Sequence, residues 1–302
     1  MADEMAAAVI GLGSMGLGAA LSLVRAGIPT TGTDLRPEAL AELRAAGGST
    51  AATAAEAAVG ADAVLVYVVN AQQTEAVLFG PGGAVAAAAP GTVFVLCATM
   101  PPADMVALCD RLVAAGMVAI DAPVSGGAVK AREGTISMMA AGPSEGFDRI
   151  APALEAISAT VFRLGEQPGA GSRMKLINQL LAGVHIAAAA EAMVLAASLG
   201  MDLAEVHRVI QSCAGTSWMF ADRGDHIVRG DYTPRSAVDI FVKDLGIVTG
   251  TASGAGVPVP LSDTALKLFE QTAAAGWGRQ DDAAVARLLA QRAGLRLPGD
   301  DE

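Results

Sequence analysis

Apolar positions follow two different rhythms along this chain. Up to about residue 165 they gather in short unbroken runs, at residues 6–12, 30–34, 63–69, 92–96, 118–121, 136–141 and 160–164. Helical patterns lie between most of them, for example at 17–25, 37–45 and 101–115. A run that does not alternate apolar with polar residues reads as a strand buried on both faces. Such strands alternating with helices predict a parallel sheet covered on both sides, with ligands beyond the carboxyl ends of its strands. The rhythm changes after Gly165-Glu-Gln-Pro168-Gly169. One long helical pattern covers 172–199, interrupted only by Gly183. Gly200-Met-Asp202 ends it, with Asp202 placed to cap a helix over 203–213. Helical patterns recur at 237–252, 262–275 and 281–290, with no clear strand.

The first strand breaks into Gly11-Leu12-Gly13-Ser14-Met15-Gly16, and a helical pattern follows at once. In that order Gly11 allows a tight turn, Gly13 lets the backbone approach a pyrophosphate, and Gly16 lets the helix pack close to the strand. The phosphates then meet free N–H groups at the positive end of the helix dipole. The second apolar run closes on Asp34, 18 positions after Gly16. A carboxylate there accepts from both hydroxyls of an adenosine ribose and repels a 2′-phosphate, which favours NAD over NADP. Arg36, two residues beyond Asp34 and after Leu35, leaves NADP open, because a basic side chain there could pair with that phosphate. The expected fold class is therefore α/β. A Rossmann-type parallel-sheet N-terminal domain over 1–166 is joined by a long helix to an all-α C-terminal domain over 167–302.

Composition narrows the function classes. The 302 residues are 53% hydrophobic and only 4% aromatic, which suits alanine-lined helices packed on a sheet. A net charge of −11 argues against nucleic acid or an anionic membrane as partner. It also means that an anionic substrate must be held by a few placed cations and backbone N–H groups. The longest apolar candidate for a membrane span, 186–199, contains Glu191 and is too short, and the N-terminus does not read as a signal peptide. Cys97, Cys109 and Cys213 form no CxxC, so the cytoplasm is the expected compartment. His185, His207 and His226 have no metal-ligand spacing, and no metal site is expected.

Other strand ends carry candidate chemistry. Val69 and Asn70 follow the third run, and Thr99 follows the fourth; all three would border the nicotinamide end of the cofactor. Thr99 could equally cap the helix after it. The run ending at Asp121 leads into Ala-Pro123-Val-Ser125-Gly126-Gly127, where a hydroxyl and consecutive N–H groups suit a carboxylate. On the long helix Lys175 and Asn178 are spaced i, i+3, and Gln179 extends the same face. A lysine facing a cofactor cleft is a candidate proton-transfer group once burial beside a cationic ring lowers its pKa. Lys243-Asp244 on a later helix could be an exposed pair of little consequence, or could bring a cation to the cleft. Trp218 and Phe220 read as core aromatics.

Taken in order, these segments resemble the β-hydroxyacid dehydrogenase family, which includes 3-hydroxyisobutyrate dehydrogenase and tartronate semialdehyde reductase. The resemblance runs the length of the chain. It rests on the glycine loop, Thr99, the Asp-x-Pro-Val-Ser-Gly-Gly at 121–127, the helix with Lys175 and Asn178, and Lys243-Asp244-Leu245. It implies a catalytic Lys175, a substrate-carboxylate site at Ser125, Gly126 and Gly127 with Asn178 alongside, and cofactor contacts from Thr99 and Lys243. Within the family, 178–193, 217–220 and 230–245 resemble the branch that oxidises four-carbon sugar acids, L-threonate in particular. Gln179 stands where many relatives have a second asparagine, and Ala98 where relatives often have serine. The expected activity is NAD-dependent oxidation of a small hydroxy acid, with Gln179 and Lys243 as candidates for its extra hydroxyls. The helical domain is expected to close the cleft and to carry a homodimer or homotetramer contact. The alternatives are oxidation of 3-hydroxyisobutyrate, reduction of tartronate semialdehyde, imine reduction, or NAD sensing without catalysis.

Overall fold

The computed structural model describes residues 5–300. It divides into two compact units, Met1–Lys175 and Leu176–Glu302. The first unit starts with strand β1 (Ala7–Ile10), helix α1 (Ser14–Arg25), β2 (Thr30–Thr33), α2 (Pro37–Ala45), β3 (Ser49–Thr50), α3 (Ala54–Ala58) and β4 (Ala63–Val66). It continues through α4 (Ala71–Phe79), β5 (Val93–Leu96), α5 (Pro102–Ala114) and β6 (Val118–Asp121). These strands form one sheet in the order β3-β2-β1-β4-β5-β6, and every pairing is parallel. That is a Rossmann-type doubly wound sheet, with the reversal of strand order beside β1. All residues of β1, β4 and β5 are buried, which explains their unbroken apolar runs. The two faces of the sheet feed two separate buried clusters, one around Val9, Leu65 and Val95, the other around Ile10, Val66 and Phe94.

The runs at 136–141 and 160–164 do not extend the parallel sheet. They lie in β8 (Ile136–Ala140) and β9 (Ser158–Arg163), which form a second sheet with the short β7 (Val124–Ser125), in the order β7-β8-β9. β7 pairs antiparallel with β8, and β8 parallel with β9. The reason is local. β7 follows β6 after only Ala122 and Pro123, too short a link for a parallel crossover, and β8 then returns antiparallel against β7. Helices α6 (Gly127–Glu133), α7 (Ser144–Arg149) and α8 (Ala151–Ile157) connect these strands.

Helix α9 (Ala170–Ser198) follows, then α10 (Leu203–Ile210), α11 (Trp218–Arg229), α12 (Val238–Gly254), α13 (Pro260–Thr272) and α14 (Val285–Arg292). Among the described residues of the second unit there is no strand. Gly200 (φ 71°) ends α9, and the Asp202 side chain accepts from Glu205 N at 3.0 Å, as expected of that stop-and-cap sequence. The core is built around Phe241 and Phe269, stacked at 5.2 Å, with Ile186, Met193 and Leu245. Gly183 sits mid-helix for a packing reason: a Cβ there would lie 2.8 Å from Leu245. Helix α9 is long and apolar enough to cross a membrane by length and composition, with a mean hydropathy of 1.9, which corrects the expectation that no segment is. Half of that stretch is buried inside the protein, so a core helix meets the same criterion.

Helix α11 has no counterpart in the sequence reading. Its buried face carries Arg223, Gly224 and His226 beside Phe220 and Ile227. Arg223 makes a two-pronged hydrogen bond to buried Asp282, 2.5 Å and 3.1 Å, and also pairs with Asp222. A helix that docks through buried ions shows no apolar periodicity. Trp218 is 54% exposed at the start of α11, against the expectation of a core residue, whereas Phe220 is buried.

Candidate functional site

The glycine turn after β1 is shaped by close approaches. Gly11 has φ 87°, and a Cβ on it would sit 2.8 Å from Tyr67 O. A Cβ on Gly16 would be 1.9 Å from Gly11 O. Both positions therefore exclude any side chain. Gly13 differs: nothing lies within 4 Å of its Cβ position. Its open side lies at the N-terminus of α1, which has no side-chain cap and no acidic residue in its first turn. Uncapped N–H groups, the positive end of a helix dipole and an open glycine fit a pyrophosphate. Ser14 is exposed and Met15 half-buried beside them.

Asp34 joins this turn directly. Its Oδ2 accepts from Leu12 N at 2.6 Å, and its Oδ1 accepts from Arg36 N at 2.8 Å and Arg36 Nε at 3.2 Å. A second guanidinium nitrogen of Arg36 donates to Leu12 O at 2.5 Å. Leu35, between them, is fully exposed and offers an apolar face beside the carboxylate. Ribose and adenine fit that combination of an acceptor and a flat apolar surface. Arg36 is held on Asp34 rather than standing apart from it.

Val69 and Asn70 immediately precede α4. Asn70 Oδ1 caps that helix, accepting from Gln73 N at 2.8 Å, and Val69 N donates to Gln73 Oε1 at 3.0 Å. The Val69 side chain is 46% exposed. Thr99 is half-buried after β5, but it is not the cap of α5. Pro101 holds that position, with no side-chain hydrogen bond.

The segment after β6 meets the first turns of α9. Asp121, fully buried, accepts at Oδ2 from Gly169 N (2.8 Å) and Ser172 N (2.9 Å), and at Oδ1 from Ser172 Oγ (2.8 Å). Burial pushes its carboxyl above the usual range, and these donors pull it back down. Three residues on from each contact the same two segments meet again: Lys175 Nζ donates to Val124 O at 2.8 Å. Lys175 is only 8% exposed, and the residue after Val124 is Ser125. The ammonium thus lies beside the loop of Ser125, Gly126 and Gly127. Gly126 and Gly127 have φ 134° and 73°, a conformation that L side chains rarely adopt. The stem of exposed Lys130 lies against Gly126, a contact that the sequence reading did not single out.

In the second unit, Asn178 Nδ2 donates to Gln179 Oε1 at 2.9 Å, and Gln179 Nε2 donates to Asp244 Oδ2 at 2.5 Å. Lys243 Nζ lies 2.7 Å from Asp244 Oδ1. Asp244 is buried, so this is not the inconsequential surface pair that its sequence position allowed. Neither Asp121 nor Asp244 carried a role in the sequence reading, because their partners lie about fifty residues away or more. Among the described residues, no group of three His, Cys, Asp or Glu could hold a metal ion.

Comparison with known proteins agrees with this arrangement. Residues 6–165 match the NAD binding domain of 6-phosphogluconate dehydrogenase, and residues 169–289 match the NAD-binding domain of NADP-dependent 3-hydroxyisobutyrate dehydrogenase. The chain is 50% identical over 301 residues to an L-threonate dehydrogenase of Escherichia coli O6:H1, covering 98% of each. It belongs to the 3-hydroxyisobutyrate dehydrogenase-like family of β-hydroxyacid dehydrogenases. Another family member, an L-threonate dehydrogenase of Cupriavidus necator, is 52% identical over 294 residues, covering 97% of this chain and 98% of the relative. A crystal structure described as 3-hydroxyisobutyrate dehydrogenase from Salmonella typhimurium superposes with a TM-score of 0.90 at 49% identity, covering 94% of this chain and 99% of the other. As a member of this family, the protein is an oxidoreductase that uses a nicotinamide dinucleotide and acts on a CH–OH group.

Proposed function

We propose that this protein oxidises L-threonate to 2-dehydro-L-erythronate with NAD, and that Lys175 is its general acid/base. The substrate reading is supported by the full-length similarity to L-threonate dehydrogenases at 50% and 52% identity. The observation that carries the chemistry is the buried Lys175 amine on Val124 O, one residue before the Ser125 loop. Ser125 Oγ and the N–H groups of Gly126 and Gly127 hold the substrate carboxylate, with the Lys130 ammonium adding charge. When bound, the dinucleotide supplies the hydride acceptor. Lys175 takes the hydroxyl proton: as a neutral amine it keeps one N–H on Val124 O and turns its lone pair to the substrate. In the reverse direction the same nitrogen returns the proton. Asn178 orients the hydroxyl, and holding the reacting groups at near-attack distance contributes up to about 7–11 kcal/mol of the barrier.

The free thiols of Cys97, Cys109 and Cys213 fit a reducing cytoplasm. A homodimer or homotetramer is proposed through the exposed side of α9, where Ile177, Leu181 and Leu195 recur at helical spacing, with Leu199 just past its end.

Turnover of L-threonate, D-threonate, 3-hydroxyisobutyrate and glycerate with NAD and with NADP tests the reading. L-Threonate with NAD is expected to give the highest kcat/KM; preference for 3-hydroxyisobutyrate would move the assignment to the dehydrogenase named in the Salmonella structure. Lys175→Ala is expected to lose most of kcat while NAD binding survives. An unchanged kcat would overturn the role given to Lys175.

A further inference from the structure

The helix that starts at the glycine turn also seats the helix that follows the Ser125 loop. Helices α1 and α6 cross at Gly18, one turn past the start of α1. A Cβ on Gly18 would lie 2.6 Å from Ala131 C and 2.7 Å from Arg132 N, both main-chain atoms. Main chain cannot step aside as the end of a side chain can, so this crossing requires glycine. One turn further on, buried Ser22 Oγ donates to Ala131 O at 3.2 Å. Arg25 donates to Ser22 Oγ at 2.8 Å and to Arg132 O. Positions 18, 22 and 25 share one face of α1.

The two helices are not equally free to move. Every residue of α1 from Gly16 to Leu23 is buried, and its start is pressed on the glycine turn, where Gly16 meets Gly11 O. Helix α6 has 7 residues, of which only Ala131 is buried. Its ion pair from Arg132 to Glu42, at 2.7 Å, joins exposed side chains and contributes little. A misfit at the crossing is therefore taken up by α6. The loop before α6 is held at both ends: Ser125 pairs with Ser137 in the second sheet, and Gly127 opens α6. A shift of α6 then changes how the Gly126 and Gly127 N–H groups stand relative to Ser125 Oγ.

We propose that Gly18 and Ser22 are positioning residues for the hydroxy acid: by seating α6 on α1 they set the shape of the Ser125–Gly127 loop and hence its affinity for the substrate carboxylate. This rests on the carboxylate site proposed above and adds what holds that site in shape. Gly18 lies on the cofactor helix, yet its substitution disturbs the substrate and spares the dinucleotide.

The test reads substrate and cofactor separately. In Gly18→Ala the KM for L-threonate is expected to rise about tenfold, while the Kd of NAD, measured by calorimetric titration, stays within about twofold. Amide exchange is expected to speed up over 126–134 and to stay slow over 14–25. Ser22→Ala removes one buried hydrogen bond at the same crossing and is expected to raise the same KM about threefold. Gly146→Ala is the control: on α7 its Cβ would press on Val118 Cγ1 at 2.8 Å, which costs stability by packing elsewhere in the same unit. Its KM is expected to match wild type. A loss of NAD affinity as large as the rise in KM, or faster exchange over 14–25, would mean that α1 had moved instead and would overturn the proposal. An equal rise in Gly146→Ala, or an unchanged KM in the folded variants at 18 and 22, would overturn it too. Should Gly18→Ala fail to fold, Ser22→Ala carries the test. Wild-type turnover separates the two levels of inference. If another hydroxy acid of the panel is the substrate, KM is measured with that acid. If none is turned over, the dehydrogenation reading itself fails, and the exchange and NAD titrations still decide whether Gly18 seats α6.

Discussion

Asp34 shows how much one residue can decide. The same carboxylate holds Leu12 N of the glycine turn and both a backbone and a side-chain nitrogen of Arg36. In the proposed cofactor site it would act twice on cofactor choice: it would offer an acceptor to a ribose hydroxyl, and it ties down Arg36, a cation that could meet a 2′-phosphate. In Asp34→Ala both effects vanish together. The expected outcome is a rise of about tenfold in KM for NAD, one charged hydrogen bond's worth, with a smaller change or a gain for NADP. Steady-state kinetics with both cofactors measure it, and an unaltered preference would remove Asp34 from the ribose site. Its position was readable because the partner motif lies close in sequence. Asp121 and Asp244 were not readable in this way. A lone Asp at a strand end, or after a lysine on a helix, looks the same whether it is solvated or buried; only the residues folded against it make the difference.

Among the elements, α9 matters most, because its first turns carry Lys175. Its start is held by Asp121 through two backbone N–H groups and a hydroxyl. The spacing repeats on both partners, 121 to 124 and 172 to 175, so the bonds at Asp121 set the register in which Lys175 meets Val124. Asp121→Ala leaves those donors buried without a partner. It is expected to cost about 1.5–3 kcal/mol of stability, read by denaturant unfolding, and to lower kcat more than Lys130→Ala does. Wild-type stability and kcat in that variant would show that the cap is dispensable. The long helices that dock by apolar stripes were legible to within a few residues, as were the parallel strands other than the two-residue β3. Helix α11 was not, because Arg223, His226 and a glycine interrupt the apolar residues of its buried face. The second sheet was misassigned for a different reason: runs of buried residues look alike in parallel and mixed sheets, and the two-residue strand β7, on which β8 pairs, is too short to register as a run.

Across the whole chain, a net charge of −11 sits beside an anionic substrate. On the proposed reading, recognition comes from local groups, the Lys130 ammonium and the glycine N–H groups, rather than from a general field. In the proposed oligomer, a second copy of the chain would cover exposed Ile177, Leu181 and Leu195 on α9 and Leu199 just past its end. Light scattering on the eluting protein is expected to give twice or four times the 30.2 kDa chain mass, and Leu195→Lys to shift it toward the monomer. A wild-type monomer at all concentrations would exclude this use of the helix.

The order of apolar runs, the glycine turn and the acid 18 residues beyond it were enough to set the fold class and the class of cofactor, because those features act between neighbours in sequence. What the tertiary structure alone decided are the buried anchors: Asp121 under the start of α9, Asp244 behind Gln179, and Arg223 among its carboxylates. Each is a charged group taken out of water, stable only where distant segments bring it partners. No local pattern records such a partner, since the desolvation that makes the contact matter exists only once the chain has closed around it.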